Sequence, residues 1–229
     1  IMKKKKLVIT LVAVFVPLAT LTSAFFIYTN DYYHALPYEH DENISVKEEK
    51  NYSIYSLNDS SSNDLFIFYP GAKVEYKAYA GLAEEIAKIG VDVILIKMPF
   101  NLAFFGLNSA SSIINEYHYD HYYVGGHSLG GAMASSYAKD NYQKLDGIIL
   151  LASYATTTMP NNLKCLAIMG NNDKVVNSGK FTKNKDYFNN EYYKEVIIDG
   201  GNHGSFGNYG QQKKDGIATI SNLEQWKIT

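Results

Sequence analysis

Apolar positions along the chain fall into two unlike patterns. Near the N-terminus they form one block, Leu7 to Thr29, without a charged residue. From Leu65 onward they come in short runs separated by stretches where apolar side chains recur at three- and four-residue spacing. The short runs are 65-LFIFYP-70, 92-DVILIKMP-99, 121-HYYVGG-126, 147-GIILLAS-153, 163-LKCLAIMG-170 and 195-EVIIDGG-201. They hardly alternate between apolar and polar, so each predicts a strand buried on both faces, as in a parallel sheet covered by helices. Between the first two, 76-YKAYAGLAEEIAKIG-90 puts Tyr79, Leu82, Ala83, Ile86 and Ile89 on one helical stripe, and Gly90 supplies its stop. Met133, Ala134 and Tyr137 can face the sheet from a helix after the third run, and 216-GIATISNLEQWKI-228 reads as a closing helix. This alternation predicts an α/β domain with a doubly wound, mostly parallel sheet over residues 51–229.

The N-terminal block follows four lysines, Lys3 to Lys6. It is long enough to cross roughly 30 Å of hydrocarbon as a helix, with Pro17 as a tolerated kink. The lysines hold that end in the cytoplasm and send the rest of the chain outward, with Tyr28, Tyr32 and Tyr33 at the far interface. Residues 1–30 are therefore expected to be a membrane anchor or, with Thr22 and Ala24 as a small-residue cleavage site, a signal sequence. The anchor reading leaves a single-pass protein of the cell membrane with its domain outside; cleavage leaves a secreted one. No cysteine stands near the end of the block, which excludes a lipoprotein anchor. Residues 31–50 are polar, acidic and aperiodic and predict a spacer, with His34 and His40 solvated in it.

With 229 residues, 46% of them hydrophobic and 19% charged, the chain has material for one globular domain plus an appendage. Beyond Lys6 the other 17 of the 21 lysines oppose 23 carboxylates, so no basic face is expected and no nucleic-acid partner is expected. There is no arginine, and lysine lacks the planar fork that grips a carboxylate or phosphate with two parallel bonds. The single cysteine, Cys165, lies in an apolar run and reads as a small core residue. The six histidines show no metal-ligand spacing, and no metal or cofactor is expected.

The third apolar run ends in Gly126-His127-Ser128-Leu129-Gly130, followed at once by Ala-rich sequence. G-x-S-x-G between strand and helix fits a nucleophile elbow, a tight turn that presents a serine where flanking side chains would clash. Taken alone, the pentapeptide is also compatible with a glycine-rich turn and a chance serine. An elbow of this kind requires an acid and then a histidine later in the chain. His203 is the one histidine after Ser128, in 199-DGGNHGSFGNYG-210 behind the last predicted strand. Among Asp140, Asp146, Asp173, Asp186, Glu191, Glu195 and Asp199, Asp173 occupies the loop after the strand ending near Met169 and is preferred as the acid; Asp199 is its rival. His203 takes the serine proton during attack on a carbonyl carbon, and Asp173 fixes the imidazole tautomer. The oxyanion is expected to rest on the backbone N–H of Leu129 and, from the loop after 65-LFIFYP-70, on that of Ala72, with Lys73 the less favoured second choice.

The segments 68-FYPGAKV-74, 96-IKMPFNLAFF-105, 124-VGGHSLGG-131, 150-LLASY-154, 170-GNND-173 and 200-GGNHGSFGNYG-210 together resemble the α/β-hydrolase superfamily, and within it a bacterial group related to dienelactone-hydrolase-like members. The resemblance implies a serine hydrolase with Ser128, Asp173 and His203 in the triad positions. It departs from dienelactone hydrolases in having serine, not cysteine, at the elbow and no arginine for a substrate carboxylate. No long insertion precedes the acid loop, which implies an open site with little or no lid. The expected activity is hydrolysis of small-molecule esters with small or flexible acyl groups. The alternatives are an acyltransferase or peptidase with the same triad, or a non-catalytic surface binding protein on this fold. The aromatic segment 98-MPFNLAFFGLN-108, with Phe100 and Asn101, and Tyr209 and Phe206 behind His203, are read as pocket or core. His127 is read as a packing residue of the elbow.

Overall fold

Every one of the six apolar runs becomes a strand of a single sheet, and two further strands precede them. The computed structural model describes residues 2–229, apart from the side chains of residues 2–12 and Asn190. Ile1, which opens the expected N-terminal segment, and the side chains of Lys3 to Lys6, which orient it in the sequence reading, lie outside the described residues. The chain divides into two compact units, the first ending at Tyr32 and the second spanning Tyr33–Thr229.

The first unit is one helix, α1 (Met2–Asn30), with Pro17 inside it. Its 29 residues, at about 1.5 Å each, outreach a bilayer's hydrocarbon core. The stretch Ala13–Asn30 has a mean hydropathy of 1.4. The Thr20 hydroxyl donates to the Val16 carbonyl four residues back, so this polar group is satisfied within the helix. An anchor and a cleaved signal sequence share these properties.

In the second unit the strands are β1 (Ile44–Glu48), β2 (Tyr52–Leu57), β3 (Asp64–Tyr69), β4 (Asp92–Ile96), β5 (His121–His127), β6 (Gly147–Leu151), β7 (Lys164–Gly170) and β8 (Tyr193–Ile198). They form an eight-stranded sheet in the order β1-β2-β4-β3-β5-β6-β7-β8. The β1–β2 and β2–β4 pairs are antiparallel; β4–β3, β3–β5 and the pairs onward to β8 are parallel. The helices of this unit are α2 (Ala80–Lys88), α3 (Ser109–Glu116), α4 (Leu129–Asn141), α5 (Ser178–Thr182) and α6 (Asn222–Ile228). In β3, Leu65, Ile67 and Tyr69 pack with Ile113, Ala134 and Tyr137 from α3 and α4. Phe66 and Phe68 pack on the opposite face with Leu82, Ala83 and Trp226 from α2 and α6. The period-2 alternation of side chains thus feeds two cores, which is why these runs show little polar alternation. Cys165 belongs to the first core, and its burial pushes the thiol pKa up, away from reactivity.

Four sequence expectations are corrected. Residues 31–50 are no spacer: they carry β1, and Tyr33 forms a parallel bridge with Val74. Tyr38, His40 and the Asp41 amide all bond the carboxylate of Glu84, whose side chain in α2 is fully buried and needs those partners. His40 is therefore paired, not simply solvated. Ile89 is 79% exposed, because α2 stops at Lys88 and Gly90 (φ 89°) turns the chain away. The closing helix starts at Asn222, not at Gly216, behind a capping box in which Ser221 and Glu224 exchange hydrogen bonds.

Trp226 closes the sheet's second face: its indole N–H donates to the Ser205 carbonyl at 2.8 Å, and a Cβ on Gly81 would stand 2.1 Å from its ring. Trp226→Ala is expected to cost about 3–5 kcal/mol of stability, the usual range for a large buried aromatic. Urea unfolding measures it, and an unchanged midpoint would contradict a structural role for α6.

Candidate active site

Strand β5 ends at His127 and α4 begins at Leu129, so Ser128 alone makes the turn between them, at φ 54° and ψ −125°. For a non-glycine residue such a backbone stores about 1–3 kcal/mol of strain, and several bonds hold it. The Ser128 N–H donates to the Leu151 carbonyl at 2.9 Å, and its own carbonyl accepts the Ser153 hydroxyl at 2.7 Å. Side chains are excluded around it. A Cβ at either Gly126 or Gly130 would lie 2.1 Å from the Tyr69 carbonyl oxygen, and one at Gly131 would lie 2.6 Å from the Gly126 oxygen. The glycines are therefore required by close approach of the elbow to the end of β3.

His203 follows β8 and Asp173 follows β7. The two side chains, 1% and 0% exposed, meet at 2.8 Å between Nδ1 and Oδ2. The other carboxylate oxygen accepts the amides of Val175 and Val176 at 2.7 and 2.9 Å, which fixes the carboxylate plane. A carboxylate accepts and does not donate, so in the neutral imidazole Nδ1 carries the proton and Nε2 the lone pair. That Nε2 is buried with no hydrogen-bond partner. Ser128 and His203 line one cleft of about 390 Å³, together with Leu129, Met133, Tyr154, Val175, Val176 and other residues. Asp199, the rival acid, is exposed and accepts from the Asn171 amide at 2.6 Å. A larger groove of about 470 Å³, lined by Phe66, Ile86, Tyr123, Ile149 and Trp226 among others, contains neither Ser128 nor His203.

The acid and histidine loops are tied together by a residue the sequence reading passed over. Asp215 accepts the Gly204 amide at 2.8 Å through one oxygen, and the Lys174 and Gly216 amides at 3.2 and 2.8 Å through the other. Gln225 of α6 brackets Asn202 from both sides, accepting its N–H at 3.0 Å and donating to its carbonyl at 2.9 Å. His203 therefore sits between two braced neighbours. No local sequence signal distinguishes Asp215, because the two partners that lie in the histidine and acid loops are 11 and 41 residues away.

In the loop after β3, the Gly71 N–H donates to the Tyr79 hydroxyl at 3.1 Å and the Lys73 N–H to the Asn101 carbonyl at 2.8 Å. Lys73 is thus spent as an anion donor, which leaves Ala72 between two anchored neighbours. The N–H of Leu129 opens α4, where the first amides of a helix lack intrahelical acceptors. Phe100 and Asn101 (φ 56° and 53°) form a left-handed pair whose main chain holds the loop. Neither they nor Tyr209 line the cleft; Tyr209 is 5% exposed, and its hydroxyl donates to Gln212 at 2.9 Å. The cleft is lined instead from the segments directly behind β6 and behind Asp173. Both strand ends were visible in sequence, but the direction of their loops was not. Among the described residues no three His, Cys, Asp or Glu side chains converge to hold a metal ion.

This sheet, elbow and loop arrangement defines an α/β hydrolase. The chain belongs to the alpha/beta hydrolase family, whose model matches residues 65–227. Among solved structures it is similar to a "predicted CIB-like hydrolase" of Thermoplasma acidophilum, with TM-score 0.58, 17% identity, and 81% of this chain and 96% of that one covered. It is also similar to Est1E of Butyrivibrio proteoclasticus with ferulic acid bound, with TM-score 0.57, 14% identity, and 74% and 91% covered. A variant of the esterase rPPE matches with TM-score 0.59 and 11% identity over 90% and 88% of the chains. No curated protein matches the sequence.

Removing the Asp215 carboxylate strands three amides, so Asp215→Ala should destabilise the protein by about 1–3 kcal/mol, whereas Asp199→Ala on the exposed turn should stay within about 0.5 kcal/mol. Chemical unfolding of both variants checks the contrast; equal losses would contradict the bracing role of Asp215.

Proposed function

We propose that this protein is a serine hydrolase that cleaves carboxylic esters of small or flexible acyl groups. The observation that carries this reading is the one-sided engagement of His203: its Nδ1 is held by Asp173, while its Nε2 is unpartnered beside the cleft that Ser128 also lines. His203 Nε2 takes the Ser128 proton as Oγ attacks the ester carbonyl carbon, and Asp173 steadies the imidazolium that forms. The tetrahedral oxyanion is held by the N–H groups of Leu129 and Ala72. His203 then returns the proton to the leaving alcohol, and water, deprotonated by the same nitrogen, hydrolyses the acyl-enzyme.

Met133, Val175 and Val176 make the cleft partly apolar, which suits an acyl chain. The absence of arginine weighs against a substrate carboxylate held by two parallel bonds. The fold is shared with the esterase rPPE and with Est1E, which holds ferulic acid, and an ester substrate is in keeping with both. On its ordered loop motifs we group the chain with the dienelactone-hydrolase-like members, with serine in the nucleophile position. We read α1 as a retained membrane anchor, with the catalytic unit outside the cell.

Fluorophosphonate labelling of the full chain in detergent tests the chemistry. An adduct should form on Ser128, vanish in Ser128→Ala and fade in His203→Ala, with kcat/KM for a short-chain p-nitrophenyl ester falling at least about 1000-fold in either variant. No adduct on folded protein would contradict the proposal, and faster turnover of amides or of acyl acceptors other than water would shift the reaction class. For α1, membranes washed with alkaline carbonate should retain the protein; a soluble form beginning after Ala24 would show cleavage.

A further inference from the structure

The loop that offers Ala72 has a glycine directly before that residue, so an amide aimed from that point depends on outside anchors. One anchor is the bond from Lys73 N–H to the Asn101 carbonyl. Two more lie at the loop's far end, where the Tyr33 N–H donates to the Lys73 carbonyl at 2.7 Å and the Val74 N–H to the Gly71 carbonyl at 3.3 Å; at its near end the Tyr79 hydroxyl takes the Gly71 N–H at 3.1 Å. Tyr79 has zero exposure, and its ring lies 4.8 Å from that of Phe68, so the hydroxyl has little freedom of its own. Behind it stands His127, the residue before the serine, with Nδ1 at 2.8 Å from the Tyr79 oxygen and 1% exposure. The fit is close: a Cβ on Gly71 would fall 2.9 Å from both His127 Nδ1 and the Tyr79 oxygen.

Proton assignment follows from valence. The Gly71 amide can only donate, so the Tyr79 oxygen accepts there. If the Tyr79 O–H in turn donates to Nδ1, one hydrogen, that on His127 Nε2, stays unpaired; the reverse assignment leaves both the phenol hydrogen and the Nε2 lone pair unused. Burial, and then the neighbouring His203, hold the His127 pKa well below its ordinary value, and burial pushes the Tyr79 phenol up; both groups are therefore neutral, as this assignment requires. The His127 ring also lies 4.4 Å from that of His203, tilted by 53° to it. One buried pair thus lies under both the oxyanion loop and the general base.

We propose that Tyr79, steadied by His127, is a positioning residue of the oxyanion hole: its hydroxyl pins the Gly71 peptide so that the Ala72 N–H faces the developing oxyanion. The inference rests on the serine-hydrolase reading above. Removing the pin leaves the loop in place through Asn101 but lets the Ala72 amide wander, which weakens transition-state binding and leaves substrate binding nearly as it was.

The test measures, on the full chain in detergent, the second-order rate of Ser128 phosphonylation and the kcat and KM for a short-chain p-nitrophenyl ester. Tyr79→Phe should slow phosphonylation and lower kcat by about 10- to 100-fold with KM unchanged, a part of the loss expected for a missing oxyanion donor. Tyr137→Phe, which removes another buried hydroxyl, bonded to Ser111 Oγ at 3.0 Å, controls for generic packing and should react like the unaltered protein. His127→Leu should match Tyr79→Phe, the double variant should lose no more than either single one, and His127→Asn, which keeps an acceptor near the Nδ1 position, should recover most of the rate. If Tyr79→Phe does not fold, the His127→Leu and His127→Asn pair carries the same comparison. A Tyr79→Phe protein that reacts at the unaltered rate, a KM change in place of a kcat change, or an equal loss in Tyr137→Phe overturns the inference and leaves the triad standing. Failure of the unaltered protein to label at Ser128 overturns the triad reading and this inference with it.

Discussion

The carbonyl oxygen of Tyr69 is the point on which the site is built. Strands β3 and β5 run parallel with Tyr69 opposite Gly126, so both deliver their last residues to one place. The elbow then folds back so tightly that Gly126 and Gly130 both pass that oxygen at distances no side chain permits. Because the chain goes from β3 to β4 on one side and returns to β5 on the other, this junction is also where the sheet's winding direction reverses. The loop after β3 and the elbow are the two connections that leave it. Parallel sheets open a crevice at such a point, and here the crevice holds Ser128.

Around that junction, elements remote in sequence supply rigidity. Tyr33 pairs its backbone with Lys73 and Glu75, so the segment that opens the second unit is stitched to the loop after β3. Gln225 and Trp226 of α6 grip the residues on both sides of His203, and Asp215 joins the histidine loop to the acid loop. The strained Ser128 and the general base proposed for His203 need such support, since preorganised groups serve catalysis only where their surroundings fix them.

How far the sequence foretold this follows from the range of the interactions. Runs such as 65-LFIFYP-70 and 147-GIILLAS-153 announced buried parallel strands, because burial on both faces leaves a local signature. The meeting of Asp173 with His203 was legible because each follows directly on a recognisable strand. Strand β1 was not legible: its residues Ser45, Lys47 and Glu48 are mostly exposed at the sheet's edge and read as polar linker. Glu84 looked like a surface helix carboxylate, but its partners come from residues 38–41. Phe100, Asn101 and Tyr209 fall outside the cleft lining for the same kind of reason: sequence gives their chemistry and not the direction in which their loops run.

In the proposed site Ser128 faces two backbone donors and the unpartnered nitrogen of His203 across one small cleft. A crystal structure of the phosphonylated protein examines that geometry directly. The phosphoryl oxygen should lie about 3 Å from the amides of both Leu129 and Ala72, with His203 Nε2 turned toward Ser128 Oγ. A phosphoryl oxygen pointing to solvent, or an adduct on any residue other than Ser128, would contradict the account.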